Sequence, residues 1–232
     1  DQSSLRKYAM LSTGTPSLSR LLVYELTIGC FGNWPGALGY VLRRAAYRLV
    51  LAGVGRRSLI GRGVTLRGAS HITIGDNVLI DDNCCLDARG ETARITLGNG
   101  VVLARNSILR SRGEALDIGD GTAVGANCII GTDSSLSIGN DVLIAAFCYL
   151  SGGGTHRFDN PGIPIIRQGC NMKGGIRVGD GAWIGAHTTV LDGAAVGPGA
   201  IIGANSLVKD AIPAMAVAFG TPARVQRQRP GA

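Results

Sequence analysis

The sequence predicts an all-β solenoid of stacked three-sided coils. Three observations carry that prediction. An aliphatic residue recurs every sixth position over most of the chain, these residues fall into three columns when the hexads are grouped in threes, and Gly-Asp or Gly-Asn pairs return at the same point of successive coils. A fixed short period marks a stacked architecture in which each repeat buries its apolar face against its neighbours. The 36 glycines among 232 residues suit frequent tight corners, eight prolines without a Gly-X-Y triplet exclude collagen, and 45% hydrophobic content argues against disorder.

In chain order, residues 1–53 stand apart as an apolar and basic helical segment. Residues 17–52 do not follow the hexad rule, and from Leu21 to Leu42 the only charge is Glu25. That length could span a bilayer, yet Gly32-Asn33-Trp34-Pro35-Gly36 breaks it in the middle. Two short helices are expected. They form either an interfacial hairpin, with Trp34 and Tyr40 near headgroups and Arg43, Arg44 and Arg48 facing anionic lipid, or a pair packed on the solenoid end or a partner chain.

Residues 54–220 carry the repeat. The clearest run places Val178, Ile184, Val190, Val196, Ile202 and Val208 six apart. The predicted columns are Val54, Ile74, Leu97, Ile118, Ile138, Val178 and Val196 on side one, and Ile60, Ile80, Leu103, Val124, Ile144, Ile184 and Ile202 on side two. Leu66, Leu86, Leu109, Ile130, Leu150, Val190 and Val208 make side three. Four places beyond the second column a small inward residue is expected, which places Cys84, Cys128 and Cys148 in the interior as packing thiols. The pairs 75–76, 98–99, 119–120, 139–140 and 179–180 are expected to occupy corners of positive φ. Residues 221–232 read as a short basic C-terminal tail.

Charge and cysteine usage narrow the function. The net charge of +7 is uneven: residues 1–57 hold eight Lys/Arg and two acids, 58–220 hold twelve and fourteen, and 221–232 hold three and none. A nearly neutral body without interleaved aromatics argues against nucleic acid, whereas basic ends suit a membrane surface or a phosphorylated ligand. Six cysteines with no CxxC pair and no signal peptide point to free thiols in a reducing compartment. His71, His156 and His187 form no HxxxH or Cys/His cluster, so no metal is expected. Their dissimilar register positions also exclude a three-histidine zinc site.

The register breaks at length once, over 151–175. A loop of that size in a regular solenoid is usually functional. It holds His156 directly after a glycine-rich run, and an imidazole suits general-base work near neutral pH. His71, in a connection between coils, and His187, on a coil side, read as structural or exposed.

With these hexads and this loop, the sequence resembles the hexapeptide-repeat acyltransferases, which include the serine, maltose and galactoside O-acetyltransferases and many polysaccharide O-acetyltransferases. The resemblance covers residues 54–227. It implies a left-handed parallel β-helix, with the N-terminal helical appendage and C-terminal tail attached, assembled as a homotrimer with sites between subunits. Thr155-His156 matches the family's element for the general base, so His156 is expected to take the proton from an acceptor hydroxyl as it attacks a thioester.

The last coils resemble the family's coenzyme A site. Trp183-Ile184-Gly185-Ala186 matches the Trp-Ile-Gly-small element, Gly203-Ala204 the Gly-Ala pair, and Gly220-Thr221-Pro222-Ala223-Arg224 the Gly-x-Pro-x-Arg ending. Ala186 and Ala204 would leave room for a pantetheine arm, and Arg224 with Arg227 would meet the nucleotide phosphates. The chain departs from the family at Val208-Lys209-Asp210, where Lys209 occupies a Thr position and Asp210 a Lys position; Lys209 is still expected to reach a phosphate. Asn127 and Asp133 are the candidates for acceptor contact.

The expected protein is therefore a cytoplasmic O-acetyltransferase, peripheral on the inner membrane's cytoplasmic face. It would move acetyl from acetyl-CoA to a sugar hydroxyl of a glycan or lipid-linked glycan, by direct transfer because no cysteine sits where an acyl carrier would. An N-acyltransferase acting on an amino sugar and a non-catalytic scaffold are the alternatives.

Overall fold

The computed structural model describes residues 4–230. From Gly53 onward the chain winds into a parallel β-solenoid with three flat sides. Side one stacks seven strands and side three stacks seven, while side two stacks nine, of which the last is antiparallel. The predicted columns are the observed ones. On side one Val54 pairs with Ile74, Ile118 with Leu97 and Ile138, and Val178 with Val196. Side two runs from Ile60 beside Ile80 to Ile184 beside Ile202, and side three from Leu66 beside Leu86 to Val190 beside Val208. Because the side-chain period along a strand is two, one residue of slip would turn every aliphatic outward. The hexad therefore specifies register as well as fold.

The column of small residues is also interior: Cys84, Ser107, Cys128, Cys148, Thr188 and Ser206 are all buried. Their thiols and hydroxyls return to carbonyls at the corners, Ser107 Oγ to Gly125 O at 2.9 Å and Cys148 Sγ to Gly185 O at 3.2 Å. Burial pushes the Cys84 thiol up to about 11, and a side-chain hydrogen bond with Cys148, together with burial, raises Cys128.

The corners differ from expectation in one respect. Positive φ falls two residues beyond each Gly of the Gly-Asp and Gly-Asn pairs, at Asn77, Gly100, Gly121, Asp141 and Gly181. The pair's glycine has a different reason to be there: a Cβ at Gly75 would stand 2.7 Å from the Gly98 carbonyl of the next coil. Close stacking, not a left-handed backbone, excludes a side chain at that point.

The N-terminal segment folds as α1 (Ser4–Thr13), α2 (Leu18–Phe31) and α3 (Gly36–Ala46). The break between α2 and α3 lies where Gly32 to Pro35 placed it, and α1 was not legible in the periodicity. The helices close the first coil. Tyr24 Oη donates to Leu66 O at 2.8 Å, Tyr24 and Tyr47 join the solenoid core, and Gly68 N donates to Leu11 O at 3.0 Å. Arg43 corrects the expectation of a lipid-facing side chain: it is 1% exposed, its Nε donates to Ile60 O at 2.7 Å and Nη1 to Trp34 O at 2.6 Å. A solenoid end exposes unpaired carbonyls, and this guanidinium covers one of them while its charge is spread over two acceptors. Arg44 and Arg48 are not buried in this way.

The opposite end is closed too. The expected tail 221–232, whose last two residues lie outside the described ones, contributes a strand here: Ala223–Gln228 pairs antiparallel with Ala216–Gly220 on side two. Alternation of Ala223, Val225 and the polar residues between them suits that edge.

Candidate active site

The arm leaves the solenoid after the side-three strand Tyr149–Gly152 and rejoins it at Ile176–Val178 on side one. Its base is a short antiparallel ladder in which Thr155 pairs with Asn171 and His156 with Cys170. Arg157 N donates to Gly169 O at 2.9 Å, extending the ladder. Beyond it, Gln168 clasps the turn, donating to Asn160 O at 2.8 Å and Ile163 O at 2.7 Å and accepting from Asn160 N at 3.1 Å. The returning stem is pinned by a group the sequence reading missed. Asp192 is 5% exposed and accepts from Lys173 N at 2.5 Å and Gly175 N at 2.7 Å. Its place one residue before the positive-φ Gly193 was the signal available to find it.

His156 is exposed on this ladder, and Cys170 Sγ lies 3.4 Å from its Nδ1. Cys170 is thus the cysteine that faces the histidine singled out by the sequence. The loop's interruption of the hexad hid the pairing, since residues fourteen apart meet only once the hairpin closes. Among the described residues no group of three or more His, Cys, Asp or Glu side chains could hold a metal ion.

The other predicted residues fall into separate groups. Asp133 lies at the foot of the arm: its Oδ2 is 2.8 Å from where a Cβ on Gly153 would stand. Asn127 belongs to a corner column of positive φ that includes Asn83, Asn106, Phe147, His187 and Asn205. It accepts from Asn106 Nδ2 at 3.2 Å, a structural use of the side chain. His187 occupies the same corner, not a flat side, and stacks on Phe147 with centroids 4.9 Å apart. His71 lies in the connection between coils, with Nδ1 3.2 Å from Ala88 O.

Ala186 and Ala204 stack on adjacent coils at the edge between sides two and three, with Asn205 N donating to Ala186 O at 2.9 Å. Trp183 is half exposed on the outer surface of side two. Lys209 and Arg224 are brought together by Asp210, whose Oδ2 is 3.0 Å from Lys209 Nζ and 3.8 Å from Arg224 Nη1. A hydrogen bond from Lys209, with the charges of Lys209, Arg224 and the arm's Lys173, holds the Asp210 carboxyl below its usual range. Three cations around one carboxylate leave an electropositive end to the solenoid. Arg227 stands opposite Val217 on the terminal hairpin, with Nη1 3.4 Å from Gln228 O.

Comparison with known proteins supplies the relationship. The family profile described as bacterial transferase hexapeptide (six repeats) matches residues 175–210, and that for the hexapeptide repeat of succinyl-transferase matches 116–151. Two stretches of this chain are thus similar to the hexapeptide repeats of bacterial transferases. The chain is also similar to "Probable acetyltransferase Rv3034c" of Mycobacterium tuberculosis, at 34% identity over 115 residues. That match takes in 50% of this chain, which spans only 38% of the relative's length. Among solved structures, the polySia specific acetyltransferase NeuO is similar at a TM-score of 0.52 and 21% identity, over 76% of this chain and 81% of that one. A variant of AntD, an N-acyltransferase from Bacillus cereus, in complex with dTDP and coenzyme A, has a TM-score of 0.52 and 20% identity, over 81% of this chain and 89% of that one. At such identities the likeness is one of fold.

Proposed function

We propose that this hexapeptide-repeat chain is an acetyl-CoA-dependent O-acetyltransferase that acts on a sugar hydroxyl of a glycan or lipid-linked glycan. One observation carries the reading: an exposed imidazole is held on a rigid ladder at the base of the arm that interrupts the solenoid. His156 takes the acceptor proton as the hydroxyl oxygen attacks the thioester carbonyl, and coenzyme A leaves as its thiol. Ala186 and Ala204 line the pantetheine groove, Trp183 flanks it, and Lys209, Arg224 and Arg227 face the phosphates. Asp133, at the foot of the arm, contacts the acceptor; Asn127 is the weaker candidate because its amide is already engaged. No metal takes part in this reading. An amino-sugar acceptor is the second reading, favoured by the likeness of fold to an N-acyltransferase.

Homotrimer assembly is part of the proposal. Within one chain the arm and the Ala186–Ala204 groove lie at different edges of the prism, so a second copy is needed to set them face to face. The outer surfaces support it. Side one is polar outside, through Thr73, Thr96, Asp117, Ser137 and Arg177, whereas side two presents Leu59, Val102, Leu143 and Trp183, and side three Ile108, Ile129 and Tyr149. Leu143→Glu is expected to convert the trimer to monomers in light scattering; an unaltered mass would count against this interface.

The helical end is proposed to rest on an anionic bilayer at the cytoplasmic face. Leu22, Leu26, Trp34, Leu38 and Val41 are exposed on α2, α3 and the turn between them, near Arg44 and Arg48. Among the described residues no helix is long and apolar enough to cross a membrane. Co-flotation with anionic but not neutral vesicles is expected, and its absence would remove the membrane from the proposal.

The decisive experiment is thermal denaturation of wild type and His156→Ala with acetyl-CoA, since a ligand at 100 times its Kd adds about 2.7 kcal/mol. Both proteins should be stabilised, and only wild type should turn over sugar acceptors. No shift in either would overturn the enzyme reading in favour of a scaffold.

A further inference from the structure

The pairing of His156 with Cys170 has no counterpart in the sequence motifs, and its geometry assigns the thiol a role. We propose that Cys170 is a positioning residue for His156: its sulfur accepts the Nδ1 proton, holding the imidazole in the tautomer whose Nε2 lone pair is free. This inference rests on the general-base reading of His156.

Four observations support it. The two residues are directly opposed in the antiparallel ladder, so their side chains share one face. Sγ stands 3.4 Å from Nδ1, within reach for a sulfur acceptor. The ladder is closed beyond them by the bond from Arg157 N to Gly169 O, which fixes the separation of the strands. Among the described residues no carboxylate is hydrogen-bonded to this ring, so the thiol stands where an orienting group is needed.

The choice of ring atom separates positioning from acyl carriage. Nδ1 and Nε2 point to different edges of the imidazole. An acyl group on Sγ would sit at the Nδ1 edge, away from an acceptor hydroxyl at Nε2. A base must offer a lone pair to that hydroxyl, which places the ring proton on Nδ1 and directs it to sulfur.

The test reads the tautomer itself, with neither donor nor acceptor present. The chain has three histidines, so nitrogen-labelled histidine gives three imidazole signal sets, and His156→Ala identifies the one of interest. Wild type should show His156 protonated at Nδ1. Cys170→Ala should shift it toward the Nε2-protonated form, and Cys170→Ser, which keeps an acceptor oxygen, should restore the wild-type pattern. An unchanged His156 spectrum in Cys170→Ala, or a wild type protonated at Nε2, overturns the proposal. So does intact-mass detection of an acetyl group on Cys170 after incubation with acetyl-CoA, which would make the thiol a carrier. Failure of acetyl-CoA to bind refutes the enzyme reading through the thermal experiment, while these spectra still decide the thiol's role.

Discussion

Arg43 reaches the carbonyl oxygen of Ile60 at 2.7 Å from a fully buried position, so that one cation joins the helical segment to the first coil. The guanidinium also donates to Trp34 O at 2.6 Å and lies 5.3 Å from the centre of the Tyr40 ring. Removing it strands two acceptors and leaves a cavity. Arg43→Met is therefore expected to cost about 2–3 kcal/mol, visible as a lower Tm in calorimetry. An unchanged Tm would show that water satisfies those carbonyls equally well.

Two buried tyrosines at the same end should respond in opposite directions. Tyr24 donates to Leu66 O, whereas the Tyr47 hydroxyl is buried without a partner. Tyr24→Phe should cost about 1 kcal/mol, while Tyr47→Phe should be neutral or stabilising by up to about 1 kcal/mol, because an unpaired buried hydroxyl carries its desolvation cost. Chemical denaturation of both variants checks the contrast.

Alkaline pH should loosen the fold through these groups. Burial pushes Tyr24 and Tyr47 from 10.0 up to about 12, and Cys84 from 9.0 up to about 11. The folded chain thus keeps protons that the unfolded chain releases, so stability is fully present below about pH 9 and declines as pH rises from there to about 12. Tm measured across that window should fall, and Tyr47→Phe should fall less steeply. A flat profile would mean these groups ionise equally in both states.

The arm's stem offers a separable test. Asp192→Asn keeps the volume but weakens the bonds from Lys173 N and Gly175 N. Hydrogen exchange at those amides should accelerate, and turnover should drop, by roughly tenfold if about 1.4 kcal/mol of positioning is lost, with the acetyl-CoA thermal shift retained. Unaltered exchange would assign the pinning to other contacts.

Glycines in one corner should differ sharply. A Cβ at Gly75 would collide with the Gly98 carbonyl, whereas at Gly100 its nearest neighbours are 3.8 Å away or more. Gly75→Ala is expected to be severely destabilising, on the order of 3 kcal/mol or more, and Gly100→Asn to lie within about 1 kcal/mol. Urea midpoints for the pair decide it.

The three core columns and the interior cysteines followed from periodicity by itself, and the break between α2 and α3 from the Gly32–Gly36 breaker run. Local period dictates which side chains face inward, and in a solenoid each coil contacts only its neighbours, so register needs no long-range information. The loop histidine was legible for a related reason: it lies where the period fails. Tertiary structure alone decided the rest. It turned Arg43 inward because a solenoid end must satisfy its carbonyls, placed Cys170 against His156 because a hairpin closes there, and gathered Lys209 and Arg224 around Asp210 because the terminal strand folds back. Each depends on chain segments meeting across an irregular connection, and six-residue spacing encodes nothing about such encounters.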